Sequence, residues 1–108
     1  MKLYNKLVRD RIPEMIEEGG EHPVTRILDA EEYIACLETK LDEEVREYHE
    51  SKSPEELADI LEVVYALADA CHCSKDDLAK IYQSKHNSRG GFSKRIFLIG
   101  KTKNGQKI

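Results

Sequence analysis

The centre of the sequence carries four acidic residues whose spacing would bring their carboxylates together. Glu44 and Glu47 are three positions apart, and so are Glu56 and Asp59. On an α-helix, residues with this spacing lie on one face, one above the other. Carboxylates that converge in a partly buried place repel one another and lose hydration unless a cation or protons compensate. We therefore expect a cation site, and Mg²⁺ is the natural candidate because it prefers oxygen ligands and commonly shares its coordination sphere with substrate phosphates.

The segment 51–54 between the two acidic pairs predicts a tight reversal of the chain. Ser53 is suited to cap a helix, Pro54 fits the first helical position, and Glu56 completes a capping-box pattern. In an antiparallel hairpin centred between residues 51 and 52, the acidic pairs are equidistant from the turn. Glu47 then lies level with Glu56, and the outer pair lies one turn further along.

Two of these acids interrupt apolar stripes with the alternating three-and-four spacing of packed helices. The stripe on the first hairpin helix consists of Ile34, Leu37, Leu41, Glu44 and Tyr48. The stripe on the second consists of Glu56, Ile60, Val63 and Leu67. The alternative is that the acids are ordinary solvated residues that pair with Lys40 and Lys52, because a chain with 35% charged residues contains many such spacings by chance.

The wider sequence resembles a known enzyme family. The pattern Glu-Glu-x-x-Glu at 43–47 followed by Glu-x-x-Asp at 56–59 is similar to the signature of the all-α nucleoside triphosphate pyrophosphohydrolases, the MazG-like superfamily. That superfamily includes phosphoribosyl-ATP pyrophosphohydrolase and dimeric dUTPases. The segments 4–14, 56–63 and 89–96 look like a small subgroup of single-domain, predicted house-cleaning enzymes, so the resemblance spans nearly the whole chain.

The resemblance implies Mg²⁺-dependent hydrolysis of a non-canonical nucleoside triphosphate to a monophosphate and pyrophosphate. The implied metal ligands are Glu44, Glu47, Glu56 and Asp59, and Glu43 would orient a ligand or the attacking water. Residues at the end of the last helix resemble the family's downstream basic motif for phosphate oxygens, although a helix C-terminus also favours basic residues through its dipole. The candidate substrate-binding residues are Lys85, Asn87 and Arg89, with Lys6, Arg9 and Arg11 as weaker candidates.

Two other functions stay open. Phosphoribosyl-ATP hydrolysis, as in histidine synthesis, would share the fold and the metal motif. A non-catalytic helical dimerisation or binding module would keep the hairpin and show no metal-dependent turnover. A di-iron carboxylate protein is disfavoured because such proteins use Glu-x-x-His motifs, which this chain lacks beside its acidic pairs.

The sequence pattern predicts a mainly α-helical fold, a MazG-like four-helix bundle built on the hairpin, with a small β ribbon from the terminal segments. Four helices are expected, at about 13–18, 30–50, 54–71 and 75–88, and short strands are expected at 23–28 and 93–99. Leu78, Ile81 and Tyr82 of the last helix are expected to face inward. We expect one domain spanning residues 1–108, with a loose polar tail at 101–108.

Charge and hydropathy restrict the partners and the location. The net charge of −4 argues against binding to a nucleic-acid polymer, which needs a basic surface. No apolar run approaches the ~20 residues of a membrane span, and the charged N-terminus lacks the core of a signal peptide, so a cytoplasmic protein is expected. The three cysteines are interpreted as reduced thiols. Cys71-His72-Cys73 lacks a second clear ligand pair for zinc.

The third predicted helix is apolar on more than one side. Beside its core stripe it carries a second stripe, which consists of Leu57, Leu61, Val64 and Ala68. A helix with two apolar faces in a small protein needs other chain segments or another subunit to cover both faces. We therefore expect a homodimer or homotetramer assembled through this helix. The alternative is a monomer whose terminal segments cover the second stripe.

Overall fold

The computed structural model describes residues 1–103 and is mainly α-helical. Its helices are α1 (Ile12–Glu18), α2 (Ala30–Ser51), α3 (Pro54–Ala70) and α4 (Lys75–Arg89). The chain divides into two compact units, Met1–Lys75 and Asp76–Ile108. The predicted helices are confirmed, whereas most of the predicted loose tail, residues 104–108, lies outside the described residues. Within residues 1–103, no helix has the length and apolar character required to cross a bilayer.

The start of α2 is defined by interactions between residues a few positions apart. The Asp29 side chain accepts a hydrogen bond from the backbone N–H of Glu32 at 2.8 Å, and the Glu32 carboxylate accepts one from the Asp29 N–H at 3.4 Å. Arg26 donates to the same Glu32 carboxylate at 2.8 Å. The first turn of the longest helix is therefore held by a reciprocal cap and an ion pair.

A two-residue connection joins α2 to α3. Lys52 adopts the left-handed conformation, with φ 57°, and its N–H donates to the Tyr48 carbonyl at 2.7 Å. Ser53 caps α3, but its hydroxyl oxygen accepts from the N–H of Glu55 at 3.2 Å and its hydroxyl donates to the Glu55 carboxylate. The predicted capping box with Glu56 is therefore wrong, because the nearer glutamate occupies the cap.

The helices α2 and α3 pack against each other in the first unit. Leu37 on α2 and Val63 on α3 are the buried apolar residues among those described, with 3% and 6% of their surface exposed, and Glu44 is buried with them at 7%. All three lie on the stripes read from the sequence. The core stripes are thus confirmed at their centres, while Ile34 at one end is 37% exposed.

No strand forms within residues 1–103, so the predicted β ribbon is not confirmed. The segments 23–28 and 93–99 are irregular and expose most of their apolar side chains, as at Ile27 (94%) and Phe97 (87%). β-Branched content favours a strand only where a partner strand and a covering face exist, and an isolated two-stranded ribbon is marginal.

The helix α4 has no buried residue. Leu78 is half-buried, but Ile81 and Tyr82 are 50% and 64% exposed, so the predicted inward orientation of these two side chains is wrong. Tyr82 stacks instead on His86 one turn later, with 5.9 Å between ring centroids. The polar composition of α4 leaves no continuous apolar stripe to bury, so Tyr82 stays exposed and its ring contacts a neighbour on the same helix.

Candidate metal centre

Five acidic side chains of α2 and α3 form one group in the first unit, termed here the acidic cluster: Glu43, Glu44, Glu47, Glu56 and Asp59. Carboxylate oxygens of Glu43, Glu44 and Glu47 lie within 4.8 Å of one another, and so do those of Glu44, Glu56 and Asp59. Glu44 belongs to both sets and therefore links the two helices. The hairpin thus brings together the four predicted ligands and Glu43.

Glu44 is the most deeply buried member of the acidic cluster. Its Oε2 atom is buried and has no hydrogen-bond partner, while its Oε1 atom lies 3.5 Å from Lys40 Nζ. Burial raises the pKa of Glu44, the neighbouring Glu47 carboxylate raises it further, and Lys40 only partly opposes the rise. A buried carboxylate oxygen without a partner costs free energy, and a hard cation would supply that partner.

The two lysines of the surface-pair alternative lie in different surroundings. Lys40 contacts Glu44 with only 17% of its side chain exposed, so this ion pair lies largely away from solvent. Lys52 lies over the ring of Tyr48, with Nζ 5.6 Å from the ring centroid. Lys40 is therefore part of the packed hairpin, whereas Lys52 is exposed and contacts Tyr48 within its own segment.

Glu56 faces Glu47 across the hairpin, as the spacing predicts. Partial burial raises the pKa of Glu56, and the charges of Glu47 and Asp59 raise it further. The two helices therefore hold like charges close enough to oppose each other's ionisation. A cation between the carboxylates would relieve this repulsion.

Glu43 differs from the other members because two lysines already pair with it. Lys6 Nζ lies 3.6 Å from Oε1, and Lys40 Nζ lies 3.6 Å from Oε2. Both of its carboxylate oxygens thus have cationic neighbours. This environment suits a residue that orients others more than a principal ligand.

Arg9, which the sequence ranks as a weak candidate, reaches the cluster directly. Its Nη1 atom donates to Asp59 Oδ1 at 3.3 Å, and its Nη2 atom donates to Glu62 Oε1 at 2.9 Å. Sequence analysis missed Glu62. The available signal was its position three residues after Asp59, which places it on the same face of α3.

A pocket of about 260 Å³ adjoins the acidic cluster. Its walls come from the N-terminal segment and from α2, and the lining residues are Asn5, Lys6, Leu7, Cys36, Thr39, Lys40 and Glu43. Because Glu43 belongs both to the cluster and to the pocket wall, a molecule bound at the carboxylates has adjoining space to occupy.

The other predicted substrate-binding residues lie in the second unit, on the last turns of α4. Lys85, Asn87 and Arg89 are exposed, and the Asn87 side-chain carbonyl accepts a hydrogen bond from Gln83 at 2.9 Å. Arg89 lines a pocket of about 260 Å³ together with residues 90–96. Their role in substrate binding stays a prediction.

The cysteines contribute to neither carboxylate set. Cys36, Cys71 and Cys73 are free thiols, and Cys73 Sγ lies 3.7 Å from the Ser74 carbonyl oxygen. Within residues 1–103, the groups with metal-ligand geometry contain carboxylates alone. The candidate centre therefore offers only hard oxygen ligands.

Comparison with known proteins gives one partial match and no functional assignment. No family model matches the chain, and no solved structure matches it. A protein of Mycolicibacterium smegmatis, described as uncharacterized, is 60% identical over 42 residues. The match covers 39% of this chain and 43% of that protein, so the chain spans less than half the length of the relative it matches. The chain is thus similar over part of its length to a protein whose description states no activity.

Proposed function

We propose that this chain is a MazG-like, Mg²⁺-dependent nucleoside triphosphate pyrophosphohydrolase that acts on non-canonical nucleotides in a cytoplasmic house-cleaning role. The observation that carries the proposal is the convergence of carboxylates from α2 and α3 around Glu44, whose Oε2 atom is buried without a partner. The proposal also rests on the sequence resemblance, which assigns the same acidic positions to the metal.

The chemistry of the ligand set fits a hard divalent cation. Glu44, Glu47, Glu56 and Asp59 would hold it, because carboxylate oxygens suit Mg²⁺ and no soft ligand belongs to either carboxylate set. When bound, Mg²⁺ would neutralise phosphate charge and activate a water molecule. The two carboxylate sets share Glu44, an arrangement that is compatible with one ion or with two adjacent ions.

The residues of the hairpin would act by positioning and electrostatics. Attack of water on the α-phosphorus releases pyrophosphate and leaves the nucleoside monophosphate, with no covalent intermediate. Ligands on two packed helices are more rigid than ligands on loops, which favours this kind of catalysis. Glu43, paired with Lys6 and Lys40, would keep its neighbours or the water in orientation.

The substrate would extend from the acidic cluster into the adjoining pocket between the N-terminal segment and α2. Lys6 and Arg9, at the rim of the cluster, would contact phosphate oxygens. Lys85, Asn87 and Arg89 are proposed for the same task from their resemblance to the family's downstream motif. A guanidinium group suits paired contacts with phosphate, and an ammonium group suits a point-charge contact.

A direct assay tests this activity. Pyrophosphate release would be measured for a panel of canonical, deoxy and modified nucleoside triphosphates and phosphoribosyl-ATP, each with Mg²⁺ and with EDTA. We expect stoichiometric monophosphate and pyrophosphate only with Mg²⁺. Turnover of phosphoribosyl-ATP alone would indicate the histidine-synthesis activity. A folded protein that is silent across the whole panel would favour the binding-module hypothesis.

We further propose that the chain forms a homodimer or homotetramer through α3. Leu57 and Leu61, on the second apolar stripe, are 49% and 47% exposed. The buried apolar residues among those described are Leu37 and Val63, which is a small core for a helical unit of this length. Burial of the second stripe against another copy would add the apolar contact that the hairpin lacks.

The oligomer predicts a specific effect of substitutions on this stripe. Leu57→Glu combined with Leu61→Glu is expected to convert the assembly to monomers, because two charges would be buried at the interface. Met15→Glu on α1, where the side chain is 57% exposed, is the matched control and is expected to leave assembly unchanged. Sedimentation equilibrium measures the mass. A wild-type protein of 12.4 kDa at all concentrations would contradict the assembly.

A further inference from the structure

We infer that the Arg9 guanidinium competes with a divalent metal ion for the Asp59 carboxylate. Binding of the metal displaces Arg9 from Asp59 and loosens the N-terminal segment, residues 5–11, termed here the strap. The inference rests on the proposed metal site and adds a competing group that neither the sequence pattern nor the resemblance assigns. It makes the N-terminus a metal-sensitive cover of the site.

The strap is attached to both helices of the hairpin. Lys6 pairs with Glu43 on α2 at 3.6 Å. Arg9 pairs with Asp59 and Glu62 on α3 at 3.3 and 2.9 Å. The two cations are three residues apart, so a short stretch of chain spans the rim of the acidic cluster and ties its two sides together.

The Asp59 carboxylate is shared between the strap and the candidate metal centre. One of its oxygens belongs to the set formed with Glu44 and Glu56, and Oδ1 accepts the hydrogen bond from Arg9. A guanidinium and a divalent cation at the same carboxylate repel each other and compete for its lone pairs. Metal binding through Asp59 therefore weakens the contact with Arg9.

Arg9 is the paired cation best able to move. Lys40 lies on α2 with 17% of its side chain exposed, whereas the Arg9 side chain is 59% exposed on a segment without helix or strand. Glu62 lies outside both carboxylate sets and offers Arg9 a second partner beside the site. The guanidinium can thus leave Asp59 and still keep an ion pair with Glu62.

The same contacts would also be present in a merely structural ion pair that attaches the N-terminus to α3. A structural pair predicts that metal binding and the order of the strap are independent of each other. Competition predicts that each affects the other. Removal of the guanidinium should increase the affinity for the metal, and addition of the metal should release the strap from Asp59. Measuring both quantities separates these roles.

The first measurement is Mg²⁺ affinity by calorimetry on the full chain. Arg9→Gln is expected to tighten Mg²⁺ binding by roughly two- to fivefold, the range that corresponds to an exposed ion pair. Arg11→Gln is the matched control, because Arg11 pairs with Glu14 on α1 at 3.4 Å and removes the same charge away from the cluster. The control is expected to bind Mg²⁺ as the wild type does.

The second measurement follows trypsin cleavage of the wild-type chain with and without Mg²⁺, by mass spectrometry. Cleavage after Lys6 and Arg9 is expected to accelerate severalfold with Mg²⁺. Arg26, which pairs with Glu32 outside the acidic cluster, is the internal control and is expected to show no change. This measurement needs no variant and therefore does not depend on how Arg9→Gln folds.

The outcomes distinguish this inference from the proposed function. If Mg²⁺ binds but Arg9→Gln and Arg11→Gln have equal affinities, or if Mg²⁺ leaves cleavage after Arg9 unchanged, the competition is overturned and the metal site stands. If Mg²⁺ binds neither the wild type nor the variants, the proposed function fails together with the inference. Tighter binding in Arg9→Gln with faster wild-type cleavage supports both.

Discussion

Asp59→Asn and Glu47→Gln are each expected to lower Mg²⁺-dependent pyrophosphate release by at least about 100-fold while leaving the helices intact. Each substitution keeps the size of the side chain and removes an anionic ligand. Loss of residues that only support a metal ligand typically costs 10–100-fold, and loss of a ligand itself costs at least as much. Asp59 and Glu47 are half-buried on packed helices, so an amide can replace either carboxylate without opening a cavity.

Two controls test whether this loss is specific to the cluster. Glu50→Gln on α2 and Asp69→Asn on α3 remove the same charge from exposed positions outside the acidic cluster. They are expected to retain activity within about twofold of wild type. Rates would be compared as kcat/KM at saturating Mg²⁺, with helicity followed by circular dichroism. A cluster variant that keeps more than a tenth of the wild-type rate would contradict the assigned ligands.

Glu44→Gln is expected to stabilise the metal-free protein at neutral pH and to abolish its stabilisation by Mg²⁺. In the wild type, Oε2 of Glu44 is a buried oxygen with no partner, and the Glu47 carboxylate lies beside it. A neutral amide removes this repulsion, and Lys40 keeps Glu43 as its partner. We expect a gain of about 1 kcal/mol in the free energy of unfolding, or roughly 4–8 °C in melting temperature. With Mg²⁺ the wild type is expected to be the more stable of the two proteins, because only the wild type gains stability from binding the metal.

The raised pKa of Glu44 also sets the sign of a pH dependence. Because its pKa is higher in the folded than in the unfolded protein, the folded state binds more protons between the two values. Stability of the metal-free protein therefore falls as pH rises through this range and stays at the lower level above it. The raised pKa of Glu56 acts in the same direction.

Thermal unfolding in EDTA measures this contribution. The advantage of Glu44→Gln over wild type is expected to be largest near neutral pH and to shrink as the pH falls towards the usual range of a glutamate. The difference between the two proteins isolates Glu44 from carboxylates whose pKa is lowered, such as Glu32 beside Arg26. An advantage that grows on acidification would show that Glu44 is stabilised as an anion without metal.

Much of the first unit follows from local sequence. The capping box of Asp29 and Glu32 and the proline that opens α3 involve residues a few positions apart, so their interactions are present wherever those helices form. The short connection then determines the register of the hairpin. For that reason the spacing of Glu44, Glu47, Glu56 and Asp59 was sufficient to predict that their carboxylates meet.

Hydrophobic periodicity predicted burial less well where the side chains needed a packing partner from a distant part of the chain. It identified Leu37 and Val63 as core residues because each faces the adjoining helix. It failed for Ile81 and Tyr82, since apolar character on a polar helix does not specify a packing partner. The β ribbon was not confirmed for a related reason, because strand propensity needs a paired strand to be realised.

The sequence by itself therefore determined the helices, the hairpin and the meeting of the acidic pairs, because these depend on spacing along a regular backbone. Only the tertiary structure decided the buried, unpartnered Oε2 of Glu44 and the bridge from Arg9 to Asp59 and Glu62. Arg9 and Asp59 are 50 positions apart. No periodic pattern encodes such a pairing, since it arises from where an irregular segment lies against two packed helices.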